Sequence, residues 1–192
     1  MAKDEYTIHL HRPSINELMF FLLSGAILSV PLTIFISQYA TALLGGFSIF
    51  SATLISVAIF APIIEEFSKI FPLFYRHGET QRSIFHLALM VGLGFGIVEF
   101  LTYVAIGVNP LVRIPGLLFH PASTAITAYG VAIKNPLPFY LAAVLLHFFN
   151  NAIAILMPGV PITFFVLAIA LYSAWKLHEK TEEKFIDHIE QS

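Results

Sequence analysis

The sequence contains no cysteine among its 192 residues, which excludes a disulfide framework, an iron–sulfur cluster and thiol catalysis. Charge is also scarce. Only 11% of residues are Asp, Glu, Lys or Arg, less than half of the roughly 25% found in an average soluble domain. The net charge of −2 offers no basic surface for nucleic acid. The shortage is uneven: no charged residue occurs between Leu18 and Ile64, between Ile114 and Ile133, or between Asn135 and Trp175. A bilayer span needs about 20 apolar residues. The first and third gaps each have room for two spans and the second for one, so the single soluble domain that length alone suggests is ruled out.

What fills those gaps is a sequence that is 57% hydrophobic. The fold expected is all-α, a polytopic helical membrane bundle forming one integral membrane domain over residues 1–192. Ser14-Ile15-Asn16-Glu17 reads as a capping box that opens the first helix. Turn-forming segments then divide the chain into six spans, at about 18–38, 47–71, 84–107, 114–133, 137–157 and 161–177. A polar tail over 178–192 follows. Lys3, Arg12, Arg76, Arg82, Lys134, Lys176, Lys180 and Lys184 fall on one side of such a bundle, and Arg113 alone on the other. The positive-inside rule then puts both termini in the cytoplasm.

Ionisable residues within a span are costly and mark function by default. The second span carries Glu65, Glu66 and Lys69 in "PIIEEFSK", and the third carries Glu99. His120 lies on the fourth span and His147 on the fifth, with Asn150 and Asn151 one turn beyond it. Lys69 can reach either glutamate, at i,i+4 or i,i+3. Adjacent residues differ by about 100° around a helix, so one glutamate is expected to face a cavity while a neighbour or Lys69 holds the other. Pro62 removes a helical hydrogen bond and, in an α-helical register, frees the carbonyl of Ala58. Gly92 and Gly96 form a small-xxx-small pair for close helix approach, and Phe95 shares a face with Glu99. His120 aligns with Thr124 and Thr127, and His147 with Asn151.

This pattern resembles the PrsW-type intramembrane proteases, relatives of the CAAX prenyl endopeptidases and the bacteriocin-processing (CPBP) superfamily. The matching positions are the EExxK segment Glu65-Glu66-Phe67-Ser68-Lys69, the FxxxE pair Phe95 and Glu99, His120, and the HxxxN pair His147 and Asn151. The FxxxE form, in place of FxxxH, points to the PrsW branch. The resemblance spans residues 65 to 151. It implies an intramembrane endopeptidase in a prokaryotic cell membrane, acting on a transmembrane protein or membrane-associated peptide. A single-span regulator such as an anti-sigma factor is the kind of substrate implied.

Under that resemblance Glu65 is expected to activate water, with Glu66 supporting it and Lys69 limiting the negative charge. His147 would orient the water or move a proton. Asn151, with His120, would donate to the oxyanion, and Glu99 would orient a histidine; Phe95 and Asn150 are supporting residues. The expected mechanism is a metal-free, glutamate-dependent one that requires no cofactor. Zinc is the runner-up, held by Glu99, His120 and His147 as a two-histidine, one-carboxylate set, although no HExxH segment is present. Two non-enzymatic readings use the same polar core: a membrane-peptide binder that does not cut, and a proton or ion transporter.

Overall fold

The computed structural model describes residues 12–75, 80–157 and 162–181. Among these residues there are six helical rods and no strand. The first rod is α1 (Ile15–Ser24), a π-helical segment (Gly25–Ser29) and α2 (Val30–Ala42). The second is built the same way: α3 (Ile49–Leu54), a π segment (Ile55–Phe60), α4 (Ala61–Ile70) and a closing 3₁₀ turn (Phe71–Tyr75). The others are α5 (Gln81–Ala105), α6 (Pro110–Ala132), α7 (Pro136–Leu156) and α8 (Ile162–Lys180). The rods start and stop within a few residues of the expected spans. Lys3, Arg76 and Lys184, the "MPGVP" turn beyond Met157, and the tail beyond Thr181 lie outside the described residues.

Four rods are long and apolar enough to cross a membrane: Ile15–Ala42, Ile49–Phe74, Gln81–Ala105 and Pro136–Leu156. The other two are more polar. Arg113, His120, Ser123, Thr124 and Thr127 lie on α6, and α8 ends in Lys176, His178, Glu179 and Lys180.

Local signals account for the helix ends. Ser14 caps α1 with a reciprocal pair of bonds, Glu17 N to Ser14 Oγ at 3.3 Å and Ser14 N to Glu17 Oε2 at 2.8 Å; this is the capping box expected there. Thr80 and Asn109 cap α5 and α6 through their side chains. After α6 the chain turns at Lys134 with φ 58°. There Asn135 N reaches back to Gly130 O and Lys134 N to Val131 O, a helix-ending pattern that usually employs glycine.

The core lies around α5 and α6. One apolar cluster joins Phe21, Ile70, Leu73, Leu87, Val91 and Ala128, and a second joins Phe85, Phe119, Ile126, Leu167 and Ala170. The glycines of "GLGFG" let α5 approach two neighbours at once. A Cβ at Gly92 would strike the backbone of His120 and Pro121, whereas one at Gly94 would strike the carbonyl of Leu22. Gly96 likewise lies against Leu117 O and the His120 ring. The small pair Gly92 and Gly96 therefore seats α6, and with it His120. Large apolar side chains such as Ile34, Phe35, Leu101, Leu145 and Phe165 are exposed around the outside, as lipid-facing surfaces require.

Candidate active site

The π segment ahead of α4 sets the depth and direction of the glutamate pair. Within it Ala61 N bonds to Ser56 O, five residues back. In that register the next partner of a carbonyl is Pro62 for Val57, and proline has no N–H to give. The Val57 carbonyl is therefore left without a backbone donor, one residue before the Ala58 carbonyl expected from α-helical geometry. Asn151 supplies the missing donor, with Nδ2 to Val57 O at 2.9 Å.

One turn into α4, Glu66 and Lys69 are fully buried. Glu66 Oε1 accepts from Lys69 Nζ at 2.6 Å and from Ser123 Oγ at 3.1 Å, and lies 2.8 Å from His147 Nδ1. Lys69 Nζ also reaches Ser123 Oγ at 3.0 Å and His120 Nδ1 at 3.2 Å. An ammonium has no acceptor capacity, so it donates to His120 Nδ1. That leaves His120 Nε2–H to donate to Glu99 Oε2, at 2.8 Å. The other oxygen of Glu99 pairs with Arg113 Nη2 at 3.0 Å, and the Arg113 guanidinium stacks 3.7 Å from the Tyr103 ring centroid. A continuous polar chain thus runs from the buried Glu66–Lys69 pair to the half-buried Glu99–Arg113 pair.

Glu65 stands apart from this chain. Its side chain is 13% exposed, and its Oε2 lies 3.7 Å from His147 Nε2. That oxygen is buried without a hydrogen-bond partner. Because Glu66 is a carboxylate acceptor, the neutral His147 tautomer that satisfies it carries its proton on Nδ1. Nε2 then faces Glu65 as an open acceptor.

The structure gathers Glu65, Glu66, Lys69, Glu99, His120 and His147 into one cluster. The two imidazole rings lie 5.5 Å apart, and Phe95 packs 5.0 Å from the His120 ring. Asn151 lies at the cluster's edge with one amide N–H donated to Val57 O, and Asn150 Nδ2 donates to Asn151 Oδ1 at 3.2 Å. Thr124 and Thr127 do not join the cluster; each bonds a carbonyl of its own helix. Two participants escaped the sequence reading. Ser123 is one turn from His120, a spacing that could have singled it out. Arg113 read only as a topological charge.

The metal-capable group among the described residues is Glu65, His120 and His147, with ligand atoms within 4.8 Å of one another. Its carboxylate is Glu65, not the Glu99 of the expected set, which lies against Arg113 and His120 instead. The donor chemistry fits a zinc-like ion: two imidazoles, one carboxylate with an orphaned oxygen, and carboxylates behind both rings, Glu66 on His147 and Glu99 on His120. His120 would join by releasing one of its present partners.

Comparison with known proteins bears on this geometry. Residues 13–175 match the PrsW family, described as intramembrane metalloproteases. The chain belongs to the PrsW family. It is therefore a protease, housed in a helical membrane protein and acting on membrane protein substrates. No curated protein and no solved structure matches the chain.

Proposed function

We propose that this PrsW-family chain hydrolyses a peptide bond of a transmembrane protein or membrane-associated peptide, with Glu65 as the base that activates water. One observation carries the reading. Both adjacent glutamates keep an unpartnered Oε2, but Glu66 is tied through Oε1 to Lys69, Ser123 and His147, whereas Glu65 makes none of those bonds and holds its Oε2 3.7 Å from the open His147 Nε2. A water seated there donates one proton towards Glu65 Oε2 and the other towards His147 Nε2, which aims its lone pair outward.

Glu65 takes a proton as the water oxygen bonds to the scissile carbonyl carbon, and the carbonyl electrons move onto oxygen. The C–N bond then breaks, and the proton passes from Glu65 to the leaving amine. Glu66 fixes the His147 tautomer, Lys69 balances Glu66, and Glu99 and Arg113 hold the His120 ring against Lys69. Asn151 holds the π segment at Val57 with one amide N–H, and its second N–H is the donor for the developing oxyanion. The EExxK and HxxxN motifs shared with the CAAX prenyl endopeptidases support the same use of the first glutamate.

The family description and the Glu65, His120 and His147 trio favour a second reading, in which a zinc-like ion is held by these three residues. Bound there, such an ion would lower the pKa of a bound water and polarise the carbonyl. In both readings the bundle crosses the membrane six times with both termini cytoplasmic, in a prokaryotic cell membrane. The Lys and Arg distribution supports that orientation. The enclosure of α6 by α4, α5, α7 and α8 explains how a helix carrying Arg113 and His120 can cross.

The test is cleavage of transmembrane peptides by purified protein in liposomes, comparing wild type with Glu65→Gln. Cleavage by wild type alone supports the proposal. Ion flux without cleavage would make the core a transport path, and peptide binding without wild-type cleavage would make the chain a binder. Exhaustive chelation separates the two mechanisms: activity that survives it is metal-free, and activity lost and restored by zinc belongs to the ion.

A further inference from the structure

Hydrolysis in a bilayer needs water at Glu65, and the first rod contains a feature that the reaction scheme does not use. Ser29, Thr33, Ser37 and Thr41 recur at every fourth position of a segment that is apolar but for Gln38 and Tyr39. Residues four apart lie on one face of a helix, so these hydroxyls form a slowly winding stripe from the middle of the rod to the loop after Ala42. Ser29 is 1% exposed, and its Oγ has no hydrogen-bond partner; Thr33 Oγ1 is likewise buried and unpartnered.

Facing elements continue the pattern. α2 packs against α4, and so does the π segment that ends at Ser29. On α4, Glu65 and Ser68 are i,i+3 and share a face. Glu65 Oε2 and Ser68 Oγ are also buried without partners, and Ser68 is 0% exposed. Counted along the two antiparallel rods from their connecting loop, Thr33 comes first, then Ser29, Glu65 and Ser68. Four orphaned polar atoms thus follow one another along elements that pack together, and Glu66 Oε2 is a fifth on the same two elements. Buried polar groups are nearly always satisfied, and a run of orphans in a polar seam calls for the partner that fits anywhere, which is water.

We propose that the seam between α2 and α4 is a water passage, entered from the face of the loop joining α2 to α3 and ending at Glu65. Its ligand is a file of water molecules, bound to the hydroxyls of Thr33 and Ser29, with Ser68 one rung past Glu65 at its inner end. It supplies the hydrolytic site with water. The proposal rests on the assignment of Glu65 as the hydrolytic carboxylate only for its purpose, and its physical content is tested without any turnover.

The absence of native cysteine makes the test direct. Single cysteines at positions 29, 33, 37 and 68 are introduced into the full chain in liposomes and exposed to a small charged methanethiosulfonate reagent. Ile34→Cys is the lipid-facing control, since Ile34 is 63% exposed on the outer surface of the rod. Expected are labelling rates at Thr33→Cys and Ser37→Cys at least tenfold above that at Ile34→Cys. Ser29→Cys should react more slowly than these two but still above the control, and reagent added on the loop side should act fastest. Rates at 29 and 33 no greater than the control, in variants that elute as wild type does, overturn the passage. Faster labelling from the opposite face overturns its direction. Either result stands whether or not the protein cleaves the peptide offered, so failure of the passage and failure of the protease mechanism remain distinguishable.

Discussion

The two adjacent glutamates should separate stability from activity, and the separation can be given magnitudes. Glu66→Gln removes the charge facing Lys69, which is 0% exposed and 2.6 Å away, and weakens the carboxylate contact to His147 at 2.8 Å. Leaving one member of a buried ion pair uncompensated costs about 3–5 kcal/mol. Lys69→Met should cost a similar amount from the other side. The double variant has neither charge to bury, and should recover to within about 1–2 kcal/mol of wild type, because neutral replacement of a buried pair is often tolerated. Glu65→Gln breaks no hydrogen bond at Oε2 and should shift stability by no more than about 0.5 kcal/mol. Its cleavage rate should nonetheless fall by about 10²–10⁴-fold, the usual contribution of a general base. Equilibrium unfolding in mixed micelles, read by Trp175 fluorescence, measures the first set, and a quenched transmembrane peptide in liposomes measures the second. Additive single and double variants would refute the ion-pair argument. A Glu65→Gln protein within tenfold of wild-type activity would refute the assignment of the base.

Three other outcomes follow from the same contacts. Ser123→Ala removes an acceptor from Lys69 and a donor from Glu66, at about 1–3 kcal/mol; it should lower kcat with KM unchanged, as steady-state cleavage would show. Gly92→Ala pushes a Cβ into the backbone of His120 and Pro121. It should cost about 1–3 kcal/mol by overpacking and depress cleavage further by displacing His120, whereas Ala substitution at the open Gly46 should do neither. Asn151→Ala strands the Val57 carbonyl at about 1–3 kcal/mol, and amide hydrogen exchange should show faster opening of the second π segment than in wild type.

Much of this was legible in the sequence because membrane proteins advertise their exceptions. Charge-free runs announce helices, and an ionisable residue within them stands out against a cost of a few kcal/mol. Glu65, Glu66, Lys69, Glu99, His120 and His147 were visible for that reason. What stayed hidden depends on register and three-dimensional adjacency. A hydroxyl such as Ser123 is common in membrane helices and carries no charge penalty, so only its position opposite Lys69 reveals its use. Arg113 lies at a helix start, where a basic residue is unremarkable, and only the fold brings it to Glu99. The carbonyl expected to be free was Ala58; the π register leaves Val57 without a backbone donor as well, and periodicity reading has no access to that register. The choice between Glu99 and Glu65 beside the two histidines is likewise set by which way α4 and α5 are turned.

The first two rods share a device that links these observations. Each widens into a π segment and then meets a proline, Gly25–Ser29 before Pro31 and Ile55–Phe60 before Pro62. A π turn followed by a residue without an N–H leaves backbone groups short of partners, which a bilayer tolerates only where protein or water can serve them. In the second rod the partner is Asn151 on α7, so the spacing of His147 and Asn151 has two purposes. One residue reaches the glutamates while the other, a turn away, ties down the backbone that aims them. In the first rod, Ser29 closes the π segment with an unpartnered hydroxyl, on the side where the hydroxyl stripe begins. Irregular backbone therefore occurs on both rods that form the α2–α4 seam, the first π segment packing against α4 and the second against α2. Pro31 and Pro62 each withdraw a backbone donor just after a π turn, and freed carbonyls are tolerated in a bilayer only where protein or water serves them, so these two departures fit a seam that carries water.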